Sequence, residues 1–223
     1  MKLLIKYPCR FRKNHLKQCL QNVVSNLENT NTQVVVTIDI DDKNIYCRET
    51  LSDLKEFTNT DRVKVFVSNS NTKVQGYNSN LNDADWSHVL FISDYVEFTK
   101  KGFDNIILDE LYKSRNTLNP LQFCSSNSFR KDDNPHKLIV VPKEFYKKNK
   151  YVFNPSLKSN FHYELLELQL RKSYSGYIDS NINIHKYNHS KWGYGNVDSQ
   201  TIQHLNNWQT DLIFFENERN IIC

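Results

Sequence analysis

Glycine is scarce in this chain: only 5 of the 223 residues are glycine, and proline is equally rare. The first apolar segment is followed by residues 8–12, which contain no glycine. Phosphate loops of the P-loop and dinucleotide-binding types need glycine where the backbone closely approaches a phosphate group. The sequence therefore excludes a glycine-rich phosphate loop after this segment.

Cysteines are too few and too dispersed to indicate a zinc centre or a disulfide framework. Their number is odd and no two form a CxxC pair; they are Cys9, Cys19, Cys47, Cys124 and Cys223. Long apolar runs are also missing, because none reaches the roughly 18 residues that a membrane span needs. The apolar stretch within residues 1–8 is too short for a signal peptide. We therefore expect a soluble cytoplasmic protein, located in the host cytoplasm if the gene is viral.

The composition is that of one folded domain of ordinary hydrophobicity. The chain is 39% hydrophobic and 13% aromatic, which is enough for a core and excludes global disorder. Its net charge is +4 and its pI is about 8.7, a mild excess of positive charge. This balance permits contact with nucleic acid or phosphorylated ligands without requiring it.

Two apolar runs in the sequence end in acidic residues. Residues 34–38 lead into Asp39, Asp41 and Asp42, and residues 89–92 lead into Asp94 after one serine. Buried parallel strands have such runs, and ligands of open α/β sheets bind at the carboxyl ends of the strands. One interpretation is a site for a cation, a sugar or a nucleotide ribose; the other is that these aspartates cap the following turns. The repetition of the pattern favours a site.

Strand and helix patterns alternate through the first half of the chain. Short apolar runs predict strands at 3–7, 34–40, 63–67 and 88–92. Helical periodicity predicts helices from Asn14 through Leu27 and at 52–57, 72–81 and 103–112. Such alternation is typical of a mostly parallel sheet flanked by helices, so the predicted fold class is α/β.

The pattern changes after about residue 120. Strands are predicted at 121–124, 138–141 and 182–187, and helices at 143–148 and 161–171, while residues 192–210 are irregular or helical. We find no internal repeat and no linker. We therefore expect a single domain, 1–223, with two functional halves at about 1–118 and about 119–223.

Six short segments occur in an order that resembles one enzyme family. They are residues 5–12, 38–42, 73–78, 91–94, 155–159 and 189–193. With this order the chain is similar to small glycosyltransferases of the GT-A fold, closest to the inverting, family-2-like enzymes and their short phage-encoded members. The resemblance covers nearly the whole length. It implies a GT-A-like sheet, a nucleotide-sugar-binding first half, and a second half that binds the acceptor and completes a metal site.

The resemblance also implies a divalent metal ion. Asp94 stands at the position of the family's DxD motif, and His189 would be the second protein ligand. A divalent cation neutralises the diphosphate leaving group, and Mn²⁺ accepts such mixed oxygen and nitrogen ligands better than Mg²⁺ does. The expected cofactors are Mn²⁺ (or Mg²⁺) and a nucleotide-sugar donor, and a UDP-sugar is the donor we expect first. The alternative for His189 is a surface imidazole.

The resemblance assigns donor contacts to two acidic residues and one lysine. Asp39 and Asp41 would bind the base and ribose of the nucleotide, since a carboxylate accepts hydrogen bonds from ribose hydroxyls. Asp42 is expected to face outward as a cap. Lys73 matches a family position that contacts the donor, although a plain surface lysine on a helix has the same sequence.

Further donor contacts are expected from the loop after the first strand. This loop carries Pro8, Arg10 and Arg12, and arginine side chains in such a position can hold phosphate. A solvated basic loop is the alternative, and it is at least as good an explanation for Arg12. Cys9 follows Pro8 where relatives more often have threonine or serine.

Inversion needs a general base that deprotonates the acceptor hydroxyl, and a carboxylate is the usual choice. Relatives place an acidic residue at the start of the helix that here begins near residue 161. Glu164 is the best candidate and Glu167, one turn later, is the second. His162 is a third possible base. Tyr163 occupies the position that is acidic in relatives, so the assignment can be displaced by one residue.

Tyr95 departs from the family pattern, in which a second acidic residue usually follows the first. If Asp94 is the metal ligand, this change is harmless. If the missing residue was the ligand, the chain is a catalytically degenerate relative that acts as a nucleotide- or sugar-binding module. A nucleotidyltransferase ranks last, because it would need the glycine-rich loop that the chain lacks.

The acceptor hydroxyl has several possible sources. A glycan or another hydroxyl compound is the general expectation, and a hydroxylated base of DNA is a possible partner if the protein is phage-borne. The basic and aromatic residues at 145–151 suit phosphate contact and base stacking. They equally suit a solvated charged face, which is the commoner case.

Overall fold

The computed structural model describes residues 1–9, 13–43, 45–93, 95–114, 118–124, 137–158, 161–180, 182–187 and 199–222. The strands are β1 (Leu3–Cys9), β2 (Gln33–Asp39), β3 (Val63–Ser68), β4 (His88–Phe91), β5 (Val96–Phe98), β6 (Leu121–Cys124), β7 (Lys137–Pro142), β8 (Ile178–Ser180) and β9 (His185–Tyr187). The α-helices are α1 (Lys13–Asn26), α2 (Arg48–Thr58), α3 (Lys73–Asn78), α4 (Phe103–Lys113), α5 (Lys143–Asn149), α6 (His162–Ser173) and α7 (Ser199–Ile222).

Seven strands form one sheet in the order β3-β2-β1-β4-β7-β6-β8. Strands β3, β2, β1 and β4 run parallel, β7 is antiparallel to both β4 and β6, and β8 is parallel to β6. The central strands β1, β2 and β4 are apolar over most of their length because helices cover the sheet on both faces, and Lys6 and Thr37 are exceptions. The prediction of a mainly parallel, helix-flanked α/β sheet is confirmed.

Two hydrophobic clusters cover the two faces of the sheet. Helices α1, α2 and α4 pack with Ile5 and Tyr7 of β1 on one face. Helices α3, α5 and α6 pack with Leu4 of β1 and Phe91 of β4 on the other, which we call the α3/α6 face. Because successive side chains of a strand point to opposite faces, Lys6 lies on the α3/α6 face.

Strands β5 and β9 form a separate antiparallel pair, in which Val96 lies opposite Tyr187 and Phe98 opposite His185. The sequence predicted a longer strand at 182–187 and none at 96–98. Strands of three residues are too short for an alternating pattern to be recognised. The pair connects the chain that follows β4 to the second half of the protein.

Helix α3 ends at Asn78, before the end predicted at 81. Asn80 adopts a left-handed conformation with φ 59°, which asparagine tolerates better than most residues, and a 3₁₀ turn follows at Leu81–Asp83. The side-chain Nδ2 of Asn80 donates to Asp83 Oδ2 at 2.9 Å, and its side-chain Oδ1 accepts from Thr37 Oγ1 at 3.1 Å. These hydrogen bonds attach the end of α3 to β2.

Helix α7 begins at Ser199 within the range 192–210, which was expected to be irregular or helical, and continues beyond it to Ile222. It packs on α6, and the ring of Phe215 stacks on that of Phe161 with centroids 5.1 Å apart. Within the described parts of the chain, we find no helix that combines the length and apolar character needed to cross a membrane.

Candidate functional site

Asp39 is the last residue of β2 and lies at the carboxyl edge of the parallel strands. It is only 5% exposed. Its Oδ1 accepts hydrogen bonds from Ser68 Oγ and from the backbone N–H of Ser70, both at 3.1 Å. Both donors come from the end of the neighbouring strand β3, so β3 fixes the orientation of this carboxylate.

The turn after Asp39 separates the three aspartates that the sequence brings together. Asp41 is exposed, whereas Asp42 is only 2% exposed. The Asp42 carbonyl accepts from the N–H groups of Ile45 and Tyr46 at 3.0 and 2.7 Å. The prediction that Asp42 faces outward as a cap is wrong, because the turn that follows it buries its side chain.

Helix α3 adds Lys73 to the same edge. Pro8 pairs with Thr37 near the end of β1. Gly76 of α3 packs so closely on β1 that a Cβ at this glycine would lie 3.2 Å from Pro8 Cβ. Lys73 lies in the first turn of α3, and its Nζ is 5.8 Å from the centroid of the Tyr77 ring. Since α3 follows β3, its first turn lies at the carboxyl edge of the parallel strands.

The start of α6 is held close to the first turn of α3. The Val74 N–H donates to the Lys158 carbonyl at 3.4 Å, and the Lys158 N–H donates to Asp211 Oδ1 of α7 at 3.0 Å. Phe161, which precedes α6, has a left-handed φ of 55° and packs on Phe215. These contacts bring the first turn of α6 into the neighbourhood of the site.

Glu164 and Glu167 have different environments on α6. Glu164 is exposed in the first turn and forms no ion pair with a residue that the structure describes. Glu167 Oε1 accepts from Arg171 Nε at 2.9 Å, and Arg171 also donates to Asp179 Oδ1 at 3.1 Å. The Glu167 carboxylate is therefore engaged in an ion-pair network, while that of Glu164 is accessible to a ligand.

His162 lies inside an aromatic cluster between α3 and α6. It is 7% exposed, and its ring centroid is 5.6, 5.2 and 4.7 Å from those of Tyr77, Phe153 and Tyr163. A general base must come within hydrogen-bond reach of the acceptor hydroxyl. The burial of His162 therefore argues against the third candidate base.

Lys6 is a polar residue beneath the site that sequence reasoning missed. It is fully buried, and its Nζ donates a hydrogen bond to Thr37 Oγ1. Burial lowers the pKa of Lys6 to about 7, although the negative charges of Asp39 and Asp83 act in the opposite direction. The available signal was a lysine in the middle of an apolar run that was predicted to be covered on both faces.

Four predicted site residues lie outside the described residues: Arg10, Arg12, Asp94 and His189. Among the residues that are described, no group of three or more histidines, cysteines, aspartates and glutamates could hold a metal ion.

A cavity of about 550 Å³ opens at the start of α2, shortly after the acidic turn. Its lining residues are Tyr46, Cys47, Arg48, Leu51, Ser52 and Lys55. Neither Arg48 nor Lys55 forms an ion pair with a described residue, since Asp53 and Glu56 of the same helix lie near Lys17 instead. Sequence reasoning did not single out this region, whose two basic residues, Arg48 and Lys55, are about two turns apart on α2.

Solved structures of several glycosyltransferases resemble this chain. TarS 1–349 of S. aureus matches with a TM-score of 0.67 and 16% identity over 84% of this chain and 60% of that chain. Its complex with UDP-GlcNAc matches with a TM-score of 0.67 and 15% identity over 100% and 70%. The mannosyltransferase PcManGT of Pyrobaculum calidifontis, solved with GDP-Man and Mn²⁺, matches with a TM-score of 0.65 and 12% identity over 95% and 64%.

This chain therefore spans about 60 to 70% of the length of TarS 1–349. No family model and no curated protein sequence matches it. At identities of 12 to 16%, the likeness to TarS and PcManGT establishes the fold. This chain has a mainly parallel seven-stranded sheet flanked by helices, and its fold is that of the GT-A glycosyltransferases.

Proposed function

We propose that this protein is a metal-dependent, inverting glycosyltransferase that moves a sugar from a nucleotide-sugar donor to an acceptor hydroxyl. The observation that carries the proposal is Asp39, a buried carboxylate that Ser68 and Ser70 hold at the carboxyl edge of a GT-A sheet. Ligands of open α/β sheets bind at this edge. The neighbours support such a donor, since TarS was solved with UDP-GlcNAc and PcManGT with GDP-Man and Mn²⁺.

In this proposal the first half of the chain, about 1–118, binds the donor. Asp39 and Asp41 accept hydrogen bonds from the base and the ribose, because carboxylates suit the hydroxyl donors of a ribose. Lys73, Arg10 and Arg12 would bind the diphosphate, whose negative charges need cationic partners. A UDP-sugar is the first donor to test.

Asp94 and His189 would hold the metal ion. In the sequence, Asp94 is two residues before Val96 and His189 is two residues after Tyr187. Because Val96 lies opposite Tyr187, at most about 7 Å of chain separates either residue from the same end of the β5–β9 pair. A carboxylate and an imidazole are ligands that Mn²⁺ accepts. When bound, the ion would neutralise charge on the diphosphate leaving group.

The proposed reaction is a single displacement at the anomeric carbon. The acceptor oxygen forms a bond to this carbon while the bond to the diphosphate oxygen breaks, and the nucleoside diphosphate leaves with the bonding electrons. The acceptor proton passes to a general base, which we assign to the accessible carboxylate of Glu164. Glu167 is the second candidate, but it would first have to leave Arg171.

The second half of the chain, about 119–223, would bind the acceptor. It adds β6, β7 and β8 to the sheet and supplies α6, which carries the proposed base. The acceptor is a glycan or another hydroxyl compound. A hydroxylated base of DNA is the acceptor to test if the protein is phage-borne, and such a base would have to be flipped out of a duplex.

Replacing Asp39 with asparagine should weaken binding of the donor nucleotide by about 10- to 100-fold, because a hydrogen bond to a charged group contributes about 1.5–3 kcal/mol. Asparagine keeps the size of the side chain and an oxygen for Ser68 and Ser70. Calorimetric titrations with UDP and with GDP, each with Mn²⁺, measure the effect. Asp61→Asn, at an exposed aspartate before β3, is the matched control and should bind like the wild type. Equal affinity of the Asp39→Asn variant and the wild type would contradict the proposed donor site.

Removing the carboxylate of Asp94 should abolish the part of donor binding that depends on Mn²⁺. Nucleotide titrations of the wild type, Asp94→Ala and His189→Ala, with and without Mn²⁺, test this expectation. Nucleotide binding that is indifferent to Mn²⁺ in the wild type would instead support the second candidate, a catalytically degenerate relative. Tyr95, which stands where relatives have a second acidic residue, is the feature that favours that candidate.

A further inference from the structure

We propose that Lys6 is a positioning residue of the donor site: its buried side chain anchors Thr37 and, when the donor is bound, supplies the positive charge that balances the Asp39 carboxylate. This inference rests on the proposed function and extends it to a residue that does not touch the ligand.

Lys6 points along β1 toward the carboxyl edge of the sheet. Its backbone pairs with Val35 of β2, but its Nζ donates to Thr37 Oγ1, two residues further along β2. Side chains at alternate positions of a strand lie on the same face, so Asp39 is the next residue on that face. The ammonium group of Lys6, the hydroxyl of Thr37 and the carboxylate of Asp39 therefore follow one another toward the site.

The hydrogen bonds of Thr37 extend this arrangement to the end of α3. Thr37 Oγ1 donates to Asn80 Oδ1 at 3.1 Å, and Asn80 Nδ2 donates to Asp83 Oδ2 at 2.9 Å. Burying an ammonium group is costly, and an apolar side chain of the same length would fill the space without that cost. The lysine is therefore best explained by the two carboxylates near it, of which Asp39 lies at the site.

A donor that covers Asp39 should change the charge of Lys6. The donor displaces water from the carboxylate, and the attraction between Asp39 and Lys6 becomes stronger in the less polar surroundings. Lys6 then binds a proton more tightly, so donor binding near neutral pH should take up a proton. The other titratable side chains on elements packed on this face are Lys64 on β3; Lys73 and Tyr77 on α3; Asp83 in the 3₁₀ turn; Lys143, Glu144, Tyr146, Lys147 and Lys148 on α5; and His162, Tyr163, Glu164, Glu167, Arg171 and Lys172 on α6.

Calorimetry with UDP and with GDP, each with Mn²⁺, tests the proposal at pH 7.5 in HEPES and in Tris, whose ionisation heats differ. The wild type should show a binding heat that differs between the buffers in the sense of proton uptake. Lys6→Met should bind about tenfold more weakly, as expected for loss of one charged partner, and with the same heat in both buffers. Lys2→Met, at an exposed lysine paired with Asp85, is the matched control and should behave like the wild type.

Two further variants keep the result interpretable. Thr37→Val retains Lys6 but removes its hydrogen-bond acceptor, and it should also weaken nucleotide binding. His162→Phe removes the buried histidine of the α3/α6 face, and it should leave the proton uptake unchanged. Wild-type affinity or retained proton uptake in Lys6→Met would overturn the role of Lys6 alone. Failure of the wild type to bind any nucleotide would instead overturn the proposed function.

Discussion

The free energy of unfolding should rise by about 3 kcal/mol between pH 7 and pH 9.5 on account of Lys6 alone. Burial lowers the pKa of Lys6 in the folded chain to about 7, against 10.5 for an ordinary lysine such as that of the unfolded chain. Between these two values the unfolded state binds more protons than the folded state, so stability increases with pH. Below pH 7 both states carry the proton, and the full cost of burying the charge is present.

Lys6→Met should remove this slope and stabilise the protein at pH 7. Methionine fills a similar space, and replacing a buried charge with an apolar side chain of similar volume often stabilises by about 1–4 kcal/mol. Urea unfolding of the wild type, Lys6→Met and Lys2→Met at pH 7, 8, 9 and 9.5 measures both effects. The charge state assigned to Lys6 would be contradicted if the free energy of unfolding of Lys6→Met rose with pH as steeply as that of the wild type. A lower stability of Lys6→Met than of the wild type at pH 7 would also contradict it.

A gain in stability together with a loss of donor affinity in Lys6→Met would have one physical explanation. Functional sites often retain residues that cost stability, because the same residue serves the ligand. Lys6 lies in a hydrophobic cluster beneath Asp39, where an apolar residue would pack without a charge. Measuring both the stability and the donor affinity of Lys6→Met therefore separates the stability cost of this lysine from its contribution to donor binding.

Glu164→Gln should lower the rate of sugar transfer by about 10²- to 10⁴-fold while donor affinity stays unchanged, because a positioned general base contributes about this factor. Glutamine has the size of glutamate but cannot accept the acceptor proton at neutral pH. Release of the nucleoside diphosphate from the donor that binds, with water or simple sugars as acceptors, measures the rate.

Glu167→Gln is the matched control on the same helix. Its carboxylate is held by Arg171, so its loss should remove one ion pair and change the rate only a few-fold, as for exposed ion pairs worth about 0.2–1 kcal/mol. A large loss in Glu167→Gln with little effect in Glu164→Gln would transfer the role of base to Glu167. No loss in either variant would show that α6 does not supply the base.

The central strands could be predicted from the sequence because each is a continuous apolar run. The runs at 34–38 and 89–92 contain no polar residue except Thr37, a pattern that is typical of strands buried on both faces. Strands β5, β8 and β9 have three residues each and are defined by their pairing partners, which lie far away in the chain. The early end of α3 depends on Asn80, whose conformation is stabilised by Thr37 and Asp83.

In the candidate site, the sequence predicts individual residues but not the contacts between them. Asp39 was recognised from its place at the end of an apolar run, but its donors Ser68 and Ser70 come from the next strand. The error at Asp42 and the omission of Lys6 have one cause. Burial of a charged side chain depends on what the rest of the chain packs over it, and local sequence does not contain this information.

Titration of the wild type with UDP-GlcNAc and GDP-mannose, with and without Mn²⁺, tests the central claim most directly. The account predicts that one of these donors binds, that binding requires Mn²⁺, and that the Asp39→Asn variant weakens it by about 10- to 100-fold. A thermal-shift assay should show the same preference, since a ligand that binds the native state raises the unfolding midpoint. Absence of binding by either nucleotide sugar and by free UDP and GDP would contradict the donor site at Asp39.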